Sequence, residues 1–258
     1  MPNDKTAEHP SGNYTFTFDE GPHTYTDQRG VSYTSSTTLI KRFKERFDSD
    51  AKAARVAARE GCGPEEIKSR WEAKRDAAAA MGTRVHDNCE RFLLGRDDYH
   101  APQSERELIA MKAAVNACES IRGGLSYCEP EKLIASPQWL IAGTVDILGQ
   151  KHNGAWAICD WKTNEKLETK GYNGQTMYWP LSHLQDCNVN HYALQLSIYE
   201  LILRHEGYIP KDAFVERWLI HLPPSEQSAQ WIPVPYLHLE VLGMLFEHRD
   251  DAMDAMPF

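Results

Sequence analysis

Two aspartates and one lysine lie in neighbouring stretches that have the pattern of β-strands. Asp146 lies in the first stretch, residues 138–149, and Asp160 and Lys162 lie near the end of the second, residues 155–162. Alternate side chains of a strand point to the same face, so Asp160 and Lys162 share a face and stand about 7 Å apart. An Asn-Gly turn between the strands favours a hairpin, which can place Asp146 opposite both.

Two carboxylates that are buried together need a compensating charge. The apolar residues Ile158 and Cys159 lead into Asp160, which indicates that this strand end is buried. Burying two acids is costly unless a cation neutralises them, and a hard divalent ion such as Mg²⁺ or Mn²⁺ with oxygen ligands does this. Lys162 beside the ion could orient or deprotonate a water, or bind a phosphate oxygen. The alternative is a surface hairpin in which the acids and the lysine form salt bridges.

Three other features favour the metal site over the surface hairpin. Gln195 and Tyr199 stand four residues apart on one face of a predicted helix, so both side chains can reach one point. His86 lies early in a predicted helix that begins at Gly82. Gly143 lies in the strand of the first aspartate, where a glycine allows another segment of the chain to approach closely.

The elements that must position these residues follow from hydrophobic periodicity and turn signals. The N-terminal half is expected to contain a two-stranded hairpin and several helices, and the second half the order β-β-β-α-β-β-α. The expected segments are two strands within 14–34, helices over 38–60, 64–81, 82–94 and 105–122, strands over 131–136, 138–149 and 155–162, a helix over 191–205, strands over 214–222 and 230–234, and a helix over 236–253.

Three further titratable residues lie near the acidic hairpin in the sequence. Glu131, on the strand before it, is either a third carboxylate of the site or a charge on an edge strand. His183 and His191 lie in or next to a long loop, residues 163–190, and are expected to be solvated or hydrogen-bonded rather than metal ligands. A loop of this length inside a compact domain is usually functional.

The charge is distributed unevenly along the chain. The 258 residues have a net charge of −9, but residues 41–75 contain eleven basic and seven acidic side chains, which leaves −13 for the remainder. A basic segment on an acidic body suits a protein that contacts phosphates in one groove, and the alternative is a solvated helix surface. The hydroxyl-rich start of the first helix is a second phosphate-binding candidate. The candidate phosphate-binding residues are Ser35, Ser36, Thr37, Lys41, Arg42, Lys74 and Arg75.

The composition argues against several classes of protein. A hydrophobic content of 41% with seven Trp residues argues against a disordered chain. No apolar run approaches the roughly 18 residues of a membrane span, so no membrane partner is expected. The six cysteines form no CxxC pair, which predicts free thiols in a reducing compartment. The chain has no GxxxxGK[ST] motif, so no ATP motor is expected.

Four short motifs together resemble a known enzyme superfamily. They are Gly82-Thr-Arg-Val-His86, Gly143-Thr-Val-Asp146, Asp160-Trp-Lys162 and Gln195-Leu-Ser-Ile-Tyr199. In this order they resemble the RecB-type branch of the PD-(D/E)XK nuclease superfamily, in particular its bacteriophage and mitochondrial exonucleases. The resemblance implies an α/β, restriction-endonuclease-like fold with a mixed sheet flanked by helices. A single nuclease domain over 1–258 is expected, with residues 1–130 as its hairpin and helical part and 131–258 as its core.

The resemblance also implies roles for the residues that match the motifs. Asp146 and Asp160 would hold the metal together with the backbone carbonyl of Trp161. His86 would serve a second metal position, as a ligand or as an orienting group. Lys162 would act on the attacking water.

The remaining motif, Gln195 with Tyr199, would position the scissile strand or brace the lysine. The implied activity is that of a Mg²⁺- or Mn²⁺-dependent DNA exonuclease acting on ends or single strands, working with a recombination or replication protein in the cytoplasm, or in the host cytoplasm for a phage protein. The alternatives are a structure-specific endonuclease of the same fold and a catalytically silent module that binds DNA ends or a partner. No iron–sulfur cluster is expected, because no cysteine follows Cys187.

Overall fold

Nine strands form one mixed sheet in the computed structural model, which describes residues 5–254 and contains six α-helices over that range. The strands are β1 (Lys5–Glu8), β2 (Thr15–Asp19), β3 (Thr24–Asp27), β4 (Ser32–Ser35), β5 (Leu125–Ser136), β6 (Ile141–Lys151), β7 (Trp156–Lys162), β8 (Val215–His221) and β9 (Gln230–Pro233). The helices are α1 (Ser36–Lys41), α2 (Ser49–Glu60), α3 (Pro64–Leu93), α4 (Glu105–Gly124), α5 (Asn188–His205) and α6 (His238–Asp254). The fold is mixed α/β, and the predicted order β-β-β-α-β-β-α of the second half is confirmed.

The sheet divides at its central strand, β6. The strand order is β1-β2-β3-β4-β6-β7-β8-β9, and β5 pairs with β6 along its other edge. On the shared edge, β4 runs parallel to β6 and pairs with it at Ile141 and Ala142, whereas β7 runs antiparallel and pairs from Ile147 onward. The ends of β4 and β7 therefore diverge across the middle of β6. We call this opening the fork.

Two helical layers cover opposite faces of the sheet. Ile158 of β7 packs into the core shared with α1, α5 and α6, whereas the next residue, Cys159, packs into the core shared with α3 and α4. Adjacent strand residues point to opposite faces, so α5 and α3 lie on opposite sides of the sheet. Among residues 5–254, no helix has both the length and the apolar character that a membrane span requires.

The N-terminal strands differ from the predicted two-stranded hairpin. Residues 14–34 form three strands, β2, β3 and β4, and β1 adds a fourth before them. The missed turn follows Asp27, whose buried carboxylate accepts hydrogen bonds from the backbone N–H groups of Arg29 at 2.9 Å and Val31 at 3.1 Å. Gly30 lies in the left-handed region, with φ of +78°. Because these two N–H groups donate to the side chain of Asp27, they do not take part in the hydrogen bonds between strands, and the strands on either side of the turn are short.

The helices of the N-terminal half also differ from their predicted bounds. The helix expected over 38–60 is divided into α1 and α2, because Asp48 caps a new start by accepting from the N–H of Ala51 at 2.9 Å. The break expected at Gly82 is wrong, since α3 continues through it. A Cβ at Gly82 would lie 3.2 Å from Oγ1 of Thr163, so this glycine allows α3 to pack closely beside the end of β7.

Gly143 allows α5 to pack directly on β6. A Cβ at this position would lie 3.0 Å from Cζ of Tyr199 and closer still to Cε1. Tyr199 is buried, and its ring fills the space that any larger residue at position 143 would need. The pair therefore fixes the height of α5 above the fork.

Replacing Gly143 with alanine should destabilise the fold. Overpacking of this kind typically costs about 1–3 kcal/mol, because the ring and the strand must move apart. Gly123→Ala is a matched control: it lies in α4 with no neighbouring atoms near its position, and helix propensity predicts a gain of up to about 1 kcal/mol. Urea unfolding measures both free energies. Equal effects of the two substitutions would contradict the close packing at Gly143.

Candidate metal centre

A cavity of about 600 Å³ opens at the fork. Side chains from both helical layers and from the N-terminal strands line it, because the sheet has no continuous surface there. It collects every residue predicted for the chemistry except Trp161, together with the hydroxyl-rich start of α1. The predicted residues that line it are Ser35, Ser36, Thr37, His86, Asp146, Asp160, Lys162, Gln195 and Tyr199.

Three side chains offer one ligand atom each to a common point. Atoms of His86, Glu131 and Asp146 all lie within 4.8 Å of one another. His86 reaches the point from α3, with Nδ1 3.5 Å from Oδ2 of Asp146. Glu131 stands across from Asp146 on β5, between the paired positions that flank it. Glu131 thus lines the cavity from an edge strand, β5, and its role as a third carboxylate of the site stays a prediction.

Asp160 has a buried oxygen that lacks a hydrogen-bond donor. The residue is 2% exposed, and its Oδ2 has no hydrogen-bond partner among the described residues. The ammonium of Lys162 approaches this oxygen as an ion pair, without the angles of a hydrogen bond. Asp146 is better satisfied, since Oδ2 accepts from the backbone N–H of Trp161 at 2.8 Å. A buried carboxylate oxygen of this kind is suited to a cation, because cations bind oxygen without a donated hydrogen.

Burial and neighbouring charges shift the pKa values of Asp146, Glu131, His86 and Lys162. Burial raises the pKa of Asp146 to about 7, and repulsion from Asp160 adds to this. Burial also raises the pKa of Glu131 to about 7, helped by Asp146. The pKa of His86 is lowered by burial and by Lys162, so its imidazole favours the neutral, ligating form. Burial would lower the pKa of Lys162, but the two aspartates outweigh it and raise that pKa.

The donor set fits a hard divalent cation. Three carboxylates and one neutral imidazole supply the oxygen and nitrogen ligands that Mg²⁺ and Mn²⁺ accept. His86, Glu131 and Asp146 would hold the ion, with Asp160 beside them. The predicted role of the Trp161 carbonyl stays a prediction. The Trp161 side chain itself is buried in the core beneath α3 and α4.

The Gln195–Tyr199 pair braces the wall of the cavity. Nε2 of Gln195 donates to the hydroxyl of Tyr199 at 2.9 Å, and Oγ of Ser36 donates to the same hydroxyl at 3.2 Å. Lys162 is flanked by another α5 residue, with Nζ 4.1 Å from the ring centroid of Tyr192. Sequence reasoning missed Tyr192, although it lies three residues before Gln195 on the same helix face.

Two residues of the N-terminal strands also line the cavity and were missed. Nζ of Lys5 lies 3.3 Å from Oε2 of Glu131 and 3.4 Å from Oε1 of Glu90. The hydroxyl of Tyr25 lies 3.4 Å from Oγ1 of Thr144. Local sequence patterns carry no signal for these contacts, because they depend on how distant strands pair.

The predicted DNA-binding residues fall into two groups. Ser35 caps α1, its Oγ accepting from the N–H of Thr38 at 3.1 Å, so part of the hydroxyl-rich segment serves the fold. The four basic candidates lie outside the cavity lining. Two of them have local partners: Arg42 contacts Nδ1 of His248 at 2.7 Å, and Arg75 pairs with Asp76 at 3.0 Å. The proposed contacts of the four with DNA stay predictions.

No protein-family model matches the chain, and no curated protein matches it. The function therefore has to be inferred from the site. That site combines three carboxylates, a neutral histidine and a buried lysine in one cavity.

In the absence of metal, stability should fall as the pH rises toward neutrality. Asp146 and Glu131 have folded-state pKa values of about 7, against ordinary values of 3.8 and 4.5. Below the ordinary values both states are protonated and there is no penalty. Between them and about 7 only the unfolded chain ionises, so folding loses free energy, and above about 7 the full penalty remains.

Thermal unfolding in EDTA measures this effect. The midpoint of the wild type should fall between pH 4 and pH 7, by these values. Asp146→Asn should show a smaller fall and a higher midpoint at neutral pH, because the amide keeps an acceptor for Trp161 and carries no charge. Parallel curves for the two proteins would contradict the burial of an ionisable Asp146.

Divalent cations should stabilise the wild type through Glu131. Mg²⁺ or Mn²⁺ that binds only the folded state raises the thermal midpoint in proportion to its affinity. Glu131→Gln should weaken that binding by roughly ten- to a hundredfold. Glu129→Gln is the control, because Glu129 lies on the same strand but pairs with Lys132 at 2.8 Å. An unchanged metal response in Glu131→Gln would remove Glu131 from the ligand set.

Proposed function

We propose that the protein is a Mg²⁺- or Mn²⁺-dependent deoxyribonuclease that hydrolyses phosphodiester bonds at DNA ends or in single strands. The observation that carries the proposal is the convergence of His86, Glu131 and Asp146 on one point, beside Asp160 and its partner Lys162. Acids, a neutral histidine and a lysine in one cavity suit metal-assisted hydrolysis of a phosphate ester.

The residues around the cavity would have separate roles in phosphodiester hydrolysis. A bound divalent ion supplies charge neutralisation at the phosphate and a lowered pKa for a bound water. The Lys162 ammonium, held against Asp160, would orient the attacking water or bind a phosphate oxygen. The backbone N–H of Trp161 keeps the Asp146 carboxylate turned into the cavity. Gln195 and Tyr199 form a hydrogen-bonded wall against which the scissile strand can rest.

The architecture supports a restriction-endonuclease-like fold of the RecB type as part of the proposal. The acids lie on a central antiparallel hairpin, β6–β7, which a parallel strand, β8, extends. The helix that carries Gln195 and Tyr199 covers this hairpin. A silent binding module is disfavoured, because the buried acids destabilise a fold that has no cation to neutralise them.

The shape of the cavity supports the preference for ends and single strands. Its walls include Lys5, Phe18 and His23 of the N-terminal segment, as well as Gly82 and Thr83 of α3. A substrate therefore has to enter a recess with walls on several sides. A single strand fits such a recess more easily than a closed duplex.

Incubation with Mg²⁺ and labelled DNA tests the activity directly. Linear single strands and linear duplexes with labelled ends should be degraded, and closed circular DNA should survive. Cleavage of circular single strands at the rate of linear ones would replace the exonuclease assignment with the endonuclease alternative. The absence of cleavage with every substrate in Mg²⁺ and in Mn²⁺ would overturn the proposed function.

Two substitutions should separate chemistry from binding. Asp160→Asn should abolish cleavage and leave the fold intact. Lys162→Ala should reduce kcat by orders of magnitude with little change in the Kd for DNA, as expected for an interaction made in the transition state. Lys151→Ala is the control, because Lys151 ends β6 and pairs with Glu216 away from the cavity. If Lys162→Ala weakened DNA binding and kept kcat, Lys162 would be only a phosphate anchor.

A further inference from the structure

Two exposed aromatic rings and a lysine form a surface outside the metal centre. Phe47 is 63% exposed and Tyr172 is 73% exposed, although they belong to distant parts of the chain. Nζ of Lys52 contacts both rings, at 4.3 Å from the ring centroid of Phe47 and 5.6 Å from that of Tyr172. We call Phe47, Lys52 and Tyr172 the stacking surface.

Packing within the fold explains only part of the placement of Phe47 and Tyr172. Phe47 directly precedes the cap of α2, and its ring meets the edge of Trp71 on α3 with centroids 5.9 Å apart. That contact orients Phe47 and still leaves most of its ring in solvent. Tyr172 belongs to none of the hydrophobic clusters found among residues 5–254. Two large rings that meet at one cation differ from apolar residues scattered singly over a surface, which need no explanation.

The neighbouring charges leave positive groups available. Arg46, Lys52 and Arg55 are exposed and have no acidic partner within ion-pair distance among the described residues. The nearby acids are engaged, since Asp48 caps α2 and Asp50 pairs with a lysine of α3. The local surface is therefore both aromatic and positively charged, on a protein whose net charge is −9.

The two rings are held in place by contacts between their parent segments. The N–H of Tyr178, in the loop of Tyr172, donates to the carbonyl of Phe43 at 2.7 Å. Gln175 of that loop donates to Glu45, and Lys44 lies 4.0 Å from Asp186. The loop and the connector between α1 and α2 thus support each other.

Both segments follow elements that contribute residues to the cavity lining. The connector follows α1, whose first residue, Ser36, lines the cavity, and the loop follows Lys162 at the end of β7. The stacking surface is therefore built from two segments that each follow a cavity-lining residue in the chain.

We propose that the stacking surface binds single-stranded DNA, with Phe47 and Tyr172 stacking on bases and Lys52, Arg46 and Arg55 contacting phosphates. Exposed rings interleaved with cations bind single strands without sequence preference, because every base has a face that can stack. In a duplex those faces are covered by neighbouring bases. The inference takes its substrate class from the proposed nuclease function, and it places part of the binding free energy outside the metal centre.

Binding in EDTA tests this surface without cleavage. Fluorescence anisotropy with a labelled oligo-dT of roughly 15 nucleotides, within the usual site sizes, gives the Kd. Phe47→Ala and Tyr172→Ala should each weaken binding about tenfold, whereas Phe47→Trp and Tyr172→Phe should keep it. Lys52→Ala should also flatten the dependence of Kd on salt concentration. A duplex of equal length should bind more weakly and respond little to the aromatic substitutions.

Phe214→Ala and Lys211→Ala are the matched controls. Phe214 is an exposed aromatic residue and Lys211 an exposed base, and both lie in the segment before β8. They should leave the Kd unchanged, and thermal unfolding should show that all variants are folded. Kd values within twofold of the wild type for both ring-to-alanine variants would overturn the proposal and leave a protein partner as the occupant of these rings. Ring-dependent binding without cleavage in Mg²⁺ would overturn the nuclease function alone.

Discussion

The repulsion between Asp146 and Asp160 is the interaction on which the site depends. The two acids face each other across adjacent strands where the sheet forks, and burial denies them solvent. The chain compensates them in part, with the ammonium of Lys162 on one side and the N–H of Trp161 on the other. Lys5 does the same for Glu131. Two ammonium groups offset only part of the charge of three ionised carboxylates, so the cavity favours the binding of a cation.

The fork is the geometric condition for this arrangement. A continuous sheet would separate the helix that carries His86 from the helix that carries Gln195 and Tyr199, because they lie on opposite faces. Where β4 and β7 part from each other along β6, side chains from both faces reach one cavity. The hydrogen bond between Ser36 and Tyr199 links the end of β4 to α5 and keeps one side of this opening closed.

The parts of the site that were predictable from sequence rest on local signals. Strand alternation and the Asn-Gly turn located the acids and Lys162, and the four-residue spacing located Gln195 with Tyr199. Glu131 needed the register of β5 against β6, which no local pattern contains. Gly82 was misinterpreted because a glycine can end a helix or allow close packing, and the sequence does not distinguish the two.

The charge that residues 41–75 present to solvent also depends on tertiary contacts. Counting bases and acids over residues 41–75 gives the net charge but not the pairing. In the structure, Lys68 and Arg70 each form ion pairs with acids of α2 and α3. Lys52, which has no acidic partner within ion-pair distance among residues 5–254, lies near the exposed rings of Phe47 and Tyr172. That arrangement depends on a loop more than a hundred residues away in the chain.

The length of α3 sets a spacing between two parts of the molecule. The helix holds Trp71, against which Phe47 rests, and continues without a break to His86 at the metal centre. Fifteen residues of α-helix span about 22 Å, and a helix resists compression along its axis. A single strand bound at both the stacking surface and the metal centre would have about six stacked nucleotides over that distance, at roughly 3.4 Å each. Under the proposed function, this distance would set the number of nucleotides between the stacking surface and the bond at the metal centre.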